Sequence, residues 1–349
     1  MTPQSSTARP SGLDLRTNGG APVRCFLDGQ PLPDDATRLQ LEELSAMPGV
    51  ESVAVLPDVH YKSRNPTPSG TVVLTSDVVL PRAIDDGINC GMRSMVASVP
   101  AKDLTPPVVD RLFHRLLETV AFKQQEEHPI GEEDCEEMLV HGLPRAVGPL
   151  GLPPDEVART ENGGTVDLGV DREAVRDALP RNPIRKERRS LGSLGGGNHF
   201  LELQEVVEVL DPHAARRLGL PLGAAMFMMH SDSRRLGKKL LKKVLREAEE
   251  THRKPGQSEL WSMPVDSDLG RRFLACLTAT THAGFANRAV ITDILRRTMR
   301  EVLGDRSAEV SLVCDSGHET IQPERHGART YWVHRHGASH PIPPGPRVP

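Results

Sequence analysis

The sequence predicts an α+β fold. Runs of β-branched and apolar residues, notably 71–80 and 224–229, read as strands. Other stretches place apolar residues at helical spacing, as do Val108, Val109, Leu112, Phe113, Leu116, Leu117 and Val120. Between them the chain turns repeatedly through loops of Gly, Asn, Asp and Ser that carry Cys or His. At 349 residues it can bury a large core, and length alone suggests about two domains. Only 3% of residues are aromatic, so the core must be Leu, Val, Ala and Met.

Taken in order, residues 1–22 are polar and rich in Ser, Pro and Gly and read as a flexible N-terminal tail without the apolar segment of a signal peptide. A short helix is expected over 39–47, and a strand over 53–56 running into Pro57-Asp58-Val59-His60. The strand at 71–80 stops at Pro81 and leads to Asp85-Asp86-Gly87-Ile88-Asn89-Cys90-Gly91. Another strand follows over 92–99. Thr105 reads as an N-cap before proline at the first helical position, and His114 in the helix after it reads as structural. The acidic, then Pro- and Gly-containing stretch at about 126–170 shows little periodicity and reads as a surface excursion, a lid or a spacer. Asp171 is placed to cap a helix that ends before Pro180.

Arg181, Arg185, Lys186, Arg188 and Arg189 come next. In isolation such a run is a solvated face; its place just before Leu194-Gly195-Gly196-Gly197-Asn198-His199 points to phosphate. The three glycines free the backbone and remove Cβ atoms where a ligand must approach, and backbone N–H groups of such a loop suit an anion. A histidine beside them suits a metal or proton transfer; the alternative is a tight turn with a hydrogen-bonded histidine. Residues 200–206 read as a strand. The strand at 224–229 ends in His230-Ser231-Asp232-Ser233-Arg234-Arg235, and a helix bearing Lys238, Lys239, Lys242, Lys243 and Arg246 follows. Two helices, 269–277 and 285–303, flank Thr281-His282-Ala283-Gly284. Strands are expected over 309–314 and 329–334, and the end at 341–349 holds five prolines.

Composition narrows the function. The formal net charge of −4 excludes a globally basic nucleic-acid binder but leaves room for a local basic cleft. Five cysteines at irregular spacing argue against a disulfide framework and for a reducing compartment, and the absence of a CxxC pair argues against a zinc ribbon. No apolar run reaches membrane-spanning length, so a cytoplasmic protein with no membrane partner is expected. Cys90, His199, His230 and His318 each fall where a strand meets a loop. One thiolate and three imidazoles converging would suit Zn²⁺, Mn²⁺, Fe²⁺ or Co²⁺, and a thiolate can bridge two ions for phosphoryl chemistry. The competing reading is four unrelated residues in a chain with 14 histidines.

Asp58-Val59-His60, Gly87-Ile88-Asn89-Cys90-Gly91, Leu191-Gly192-Ser193-Leu194-Gly195-Gly196-Gly197-Asn198-His199-Phe200, His230-Ser231-Asp232-Ser233-Arg234, Ala286-Asn287-Arg288, His318 and His334-Arg335-His336-Gly337-Ala338 occur in that order. Together, from about residue 55 onward, they resemble the RtcB family of GTP-dependent RNA ligases of tRNA splicing and RNA repair. The resemblance implies one catalytic domain over 23–349, with β-sheets in the centre and helices around them. It implies joining of RNA 2′,3′-cyclic phosphate or 3′-phosphate ends to 5′-hydroxyl ends with GTP and two Mn²⁺ ions. The implied metal ligands are Cys90, His199, His230 and His318. The implied GTP/GMP-binding residues are Asn198, His199, Phe200, Leu201, Glu202, His318 and Glu319, with Asp58 supporting catalysis. It further implies RNA partners such as tRNA halves or broken ends, an activating protein factor, and a monomer. Arg189, Arg234, Arg235 and Lys238 would hold the RNA backbone.

The chain departs from the family pattern at several points. The family reads Asp-Ile-Asn-Cys where this chain has Gly87-Ile88-Asn89-Cys90, so the second metal lacks its aspartate unless Asp86 reaches the site. Glu319 stands where the family has Asn, and would repel a nucleotide phosphate without a compensating cation. Tyr61-Lys62-Ser63-Arg64-Asn65-Pro66 replaces a glycine-rich continuation, and His336 replaces a lysine. The Ser-His-Gly-Ala-Gly-Arg motif, whose histidine takes up guanylate, is not found before Pro349, so the catalytic histidine is unassigned. The expectation is either a fragment or a form that has lost self-guanylylation. The rival functions are a metal-dependent phosphoesterase acting on RNA ends and a non-catalytic RNA-binding relative.

Overall fold

The chain forms twelve strands and ten α-helices among the residues that the computed structural model describes, namely 13–15, 19–27, 29–120, 130–253, 259–304 and 308–340. Strands β1 (Leu13–Leu15) and β2 (Val23–Cys25) pair within the stretch expected as a tail or at its edge, because Val23 and Cys25 alternate inward and bury. The rest of that expected tail, 1–12 and 16–18, lies outside the described residues, as does the end at 341–349. Helix α1 (Asp35–Ser45) begins on Asp34, whose carboxylate accepts from the Thr37 amide. Strand β3 (Val50–His60) extends the strand expected over 53–56 through Pro57-Asp58-Val59-His60. The expected strand at 71–80 is two, β4 (Ser69–Thr75) and β5 (Val78–Val79), broken at Ser76-Asp77.

Strand β6 (Gly91–Pro100) follows, then α2 (Pro106–Thr119), where Thr105 occupies the N-cap position without a side-chain cap bond. Helices α3 (Glu132–His141), α4 (Val147–Leu150) and α5 (Pro154–Ala158) fill the expected surface excursion, of which 126–129 lie outside the described residues. That expectation is corrected. Ile130, Cys135, Met138, Leu139, Leu143 and Ala146 bury in the core, and the low periodicity reflects short helices broken by Gly and Pro rather than exposure. Helix α6 (Arg172–Ala178) is capped by Asp171, which accepts from the Ala174 amide, and α7 (Arg181–Glu187) carries Arg181, Arg185 and Lys186 of the basic run, with Arg188 and Arg189 in the 3-10 turn after it.

Strand β7 (Phe200–Glu205), helix α8 (Pro212–Leu218), strand β8 (Ala224–Ser231), helix α9 (Arg234–His252) and the short strand β9 (Met263–Pro264) lead to α10 (Asp268–Leu303). Helix α10 replaces the two helices expected around Thr281–Gly284. Strands β10 (Val310–Gly317), β11 (Glu319–His326) and β12 (Arg329–His336) close the described chain; β11 had no counterpart among the expected elements. None of the helices among the described residues is long and apolar enough to cross a membrane.

The contacts group into two compact units. The first comprises 1–85, 247–270 and 319–338, and holds a six-stranded sheet in the order β1-β2-β3-β4-β12-β11. Val53, Val55 and Val73 of that sheet pack with Leu41 and Leu44 of α1. The second comprises 86–246, 271–318 and 339–349, and holds a four-stranded sheet in the order β10-β6-β8-β7. Met95, Phe227, Met229 and Leu312 of that sheet bury in one cluster with Ala279, Ala283, Ala286 and Val290 of α10. Apolar burial of this kind contributes about 25 cal/mol per Å², so each sheet is held chiefly by its helix-facing side.

Candidate metal centre

The four-stranded sheet brings the Cys and His residues together at one end. Antiparallel register sets Gly91 opposite Ser231 and Gly317, and Phe200 opposite His230. The residues just before β6 and β7, the penultimate residue of β8 and the residue after β10 therefore share one edge of the sheet. These are Cys90, His199, His230 and His318. His230 lies inside its strand, one residue further than the expected boundary.

Cys90 Sγ is 3.3 Å from His199 Nε2 and 3.0 Å from His230 Nε2, and His230 Nε2 is 3.0 Å from His318 Nε2. The ligand atoms of Cys90, His199 and His230 all lie within 4.8 Å of one another. His230 Nδ1 is 2.9 Å from the Asn198 carbonyl, which fixes the proton there and turns the Nε2 lone pair toward the sulfur. The His318 amide donates to the Cys90 carbonyl at 2.7 Å and ties the two loops. Burial pulls the His199 and His230 rings below the ordinary imidazole range, so both are neutral near pH 7, the state a metal requires. Several lone pairs facing one another at such distances repel unless protons or a cation lie among them. The thiol-imidazole donor set fits a divalent transition ion, and its composition does not by itself separate Zn²⁺ from Mn²⁺.

The backbone around this cluster is held by Asn287 and Arg288, which the sequence shows within a family motif but without a role. Asn287 on α10 accepts from the Gly192 amide at 2.8 Å, and its Nδ2 donates to Ser231 Oγ and the Asp232 carbonyl, both at 3.0 Å. Arg288 donates to the Asn89 carbonyl at 2.6 Å, just before Cys90, and to the Ser231 carbonyl at 3.1 Å, just after His230. The buried Asp315 carboxylate pairs with Arg288 and Arg93. Two polar side chains inside the apolar run of α10 were the signal for these residues, but only the fold shows what they hold.

The glycine loop precedes β7 as expected. Gly195 has φ +94°, and a Cβ there would overlap the Arg234 guanidinium lying against it. Arg234 also contacts Ser193 Oγ at 3.2 Å and Asp232 Oδ1 at 2.8 Å, so it is built into the loop and only 14% of its side chain is exposed. Arg185, Lys186, Glu187, Arg189 and Arg235 line an open groove nearby in the same unit, and Lys238 is exposed.

The other expected residues are placed as follows. Asn198 is exposed, the Phe200 ring stands 5.6 Å from the His230 ring, Leu201 is half-buried, and exposed Glu202 accepts from Gln204 at 2.6 Å. Asp86 is exposed and lies outside the group formed by Cys90, His199 and His230. Asp58 is exposed on β3 of the first unit. Glu319 is buried in that unit, where it accepts from the Asp85 and Gly337 amides at 2.9 Å each. Burial raises its carboxyl to about 8, so it is protonated at neutral pH and presents no full negative charge.

With this geometry in hand, comparison with known proteins gives a consistent result. The family model described as tRNA-splicing ligase RtcB matches residues 40–349. An RNA-splicing ligase RtcB from Mycobacterium bovis is 30% identical over 321 residues, covering 88% of this chain and 72% of that protein. The protein of the same name from Mycobacterium tuberculosis gives the same values. A tRNA-splicing ligase RtcB from Thermococcus kodakarensis is 29% identical over 348 residues, covering 94% of this chain and 70% of that protein.

Proposed function

This chain belongs to the RtcB family of RNA ligases, and from that premise we propose that it joins RNA 2′,3′-cyclic phosphate or 3′-phosphate ends to 5′-hydroxyl ends with GTP and Mn²⁺. The observation that carries the metal-dependent reading is the meeting of Cys90 Sγ with the Nε2 atoms of His199 and His230. Cys90, His199, His230 and His318 would hold the cations, which supply Lewis-acid neutralisation of phosphate charge.

The chain's own groups account for the remaining work. Backbone N–H groups of residues 195–198 and the Asn198 amide bind the guanylate phosphate, a neutral route to anion binding that needs no buried lysine. Glu202 accepts from guanine N–H groups, and Phe200 and Leu201 offer the apolar flank. Arg185, Lys186, Arg189 and Arg235 line the groove that holds RNA phosphates, so binding falls as salt rises. Arg234 acts within the loop rather than on RNA, because its guanidinium is committed to Ser193 and Asp232. In the reaction water opens a 2′,3′-cyclic phosphate to the 3′-phosphate, an oxygen of which takes guanylate that comes from GTP with release of pyrophosphate; the 5′-hydroxyl oxygen then loses its proton, attacks the 3′-phosphorus and expels GMP. The chain's histidines outside the metal centre are not assigned to the guanylate-carrying step.

The test is a ligation assay on RNA with a cyclic-phosphate end and a 5′-hydroxyl end, beside a measurement of bound metal. The expected result is GTP- and Mn²⁺-dependent joining, with Cys90→Ala losing both joining and bound metal. Opening of the cyclic phosphate without joining would favour a phosphoesterase. RNA binding with neither reaction would favour a non-catalytic relative. Unchanged metal content in Cys90→Ala would remove the ligand set.

A further inference from the structure

The family's aspartate three residues before the metal cysteine is glycine here, Gly87. Cys90, His199, His230 and His318 would then offer two cations one thiolate and three imidazoles with no carboxylate oxygen, and a cation held by Cys90 and His199 would lack a third protein donor. Hard or borderline divalent ions take oxygen ligands readily, and Mn²⁺ in particular favours a carboxylate.

One carboxylate sits where a side chain at 87 would have pointed. A Cβ on Gly87 would lie 3.4 Å from Asp232 Oδ2 and 3.7 Å from Cys90 Cβ. Asp232 is the first residue after β8, two positions past His230. It is only 5% exposed. Its Oδ1 is occupied, accepting from the Arg234 amide and from the Arg234 guanidinium, both at 2.8 Å. Its Oδ2 accepts no hydrogen bond among the described residues. The Arg234 guanidinium already pairs with Oδ1 of this carboxylate, whose side chain is 7% exposed, and that leaves Oδ2 as the oxygen that can turn to a second cation. The Arg234 guanidinium that anchors it also lies 3.4 Å from His199 Nδ1, which puts carboxylate and ring around the same group. The Asp232 backbone carbonyl is fixed by Asn287, so the side chain starts from a held position.

We propose that Asp232 supplies the carboxylate ligand to the cation shared by Cys90 and His199, in place of the side chain that Gly87 lacks. This rests on the metal centre proposed above. Arg234 then orients the carboxylate as an outer partner, in the way a hydrogen-bonded second shell tunes a ligand. Asp232, like Asp86, lies outside the group formed by Cys90, His199 and His230, so its side chain must turn toward the sulfur to bind; it is buried and anchored for that turn, whereas Asp86 is exposed.

The experiment is equilibrium dialysis of the full chain against Mn²⁺, with bound metal counted by mass spectrometry and folding followed by circular dichroism. The wild type should bind two ions. Asp232→Asn should keep one and bind the second about 100-fold more weakly, the upper end of what even outer-shell changes cost. Adding Gly87→Asp to Asp232→Asn should restore the second ion, a rescue that a merely structural role for Asp232 does not give. Asp232→Glu, which keeps the charge, serves if the Asn variant does not fold; it should weaken the second ion by roughly tenfold. Wild-type affinity for both ions in Asp232→Asn, or in the Glu variant where that is the one used, overturns the proposal. So does a wild type that binds one ion whose affinity Asp232→Asn leaves unchanged. Cys90→Ala separates the two levels. If it empties the centre while the Asp232 variants change nothing, only the Asp232 assignment falls. If it binds metal like wild type, the centre itself is wrong and the assignment falls with it.

Discussion

Asn287 uses its whole amide on the loops that carry the candidate ligands: Oδ1 takes the Gly192 N–H, and Nδ2 serves Ser231 Oγ and the Asp232 carbonyl. It is fully buried, so its removal strands partners that water cannot reach. Asn287→Ala should cost about 1–3 kcal/mol in urea unfolding and loosen metal binding through the glycine loop. A variant with wild-type stability and wild-type metal affinity would refute this account. The four ligand candidates were legible because thiol and imidazole have distinctive chemistry beside Gly, Asn and Ser. Asn287 and Asp232 stood inside family motifs, but the role of each was not legible. Their types are common in loops and helices, and their meaning lies in which distant atoms they meet.

At the scale of elements, α10 is the clearest departure from expectation. Thr281-His282-Ala283-Gly284 reads locally as a break, yet the helix passes through it. Gly284 is kept small by a neighbour: a Cβ there would lie 2.8 Å from Asn89 Cβ. Helix propensity alone favours Gly284→Ala by about 1 kcal/mol. The contact decides the sign instead. We expect Gly284→Ala to lower the melting temperature and to weaken metal binding, since Asn89 directly precedes Cys90. A stabilised variant with unchanged metal affinity would show that the helix-to-loop contact is slack. The stretch at 130–158 failed to read as core for a related reason. Its helices are short, so no periodicity accumulates, although Met138 and Leu139 are each only 1% exposed.

Across the whole molecule, each compact unit holds a neutral histidine as a structural part. In the second unit His282 Nδ1 is 2.8 Å from the Leu139 carbonyl and its Nε2 accepts from the Val166 amide at 3.1 Å. In the first, His334 Nε2 accepts from the Leu80 amide at 3.0 Å. Burial pulls both rings down to about 4, against an ordinary value of 6.5. The unfolded chain therefore takes up protons first as pH falls. Their stabilising effect is complete above about pH 6.5 and is lost progressively down to about pH 4, on the order of 3 kcal/mol each. Urea unfolding between pH 7.5 and 4 should show this loss, and His282→Gln should flatten the profile. A variant curve parallel to wild type over that interval would rule out His282 as a source.

By itself the sequence determined the α+β class, the strand-to-loop positions of Cys90, His199 and His318, and the family, because local pattern and side-chain chemistry are written in adjacent residues. Only the tertiary structure decided that the sulfur and the rings meet, that α10 is continuous, that 130–158 is core, and that a carboxylate from 232 stands beside Gly87. Those facts depend on antiparallel register and on packing between residues tens to hundreds of positions apart, which no short window of sequence contains.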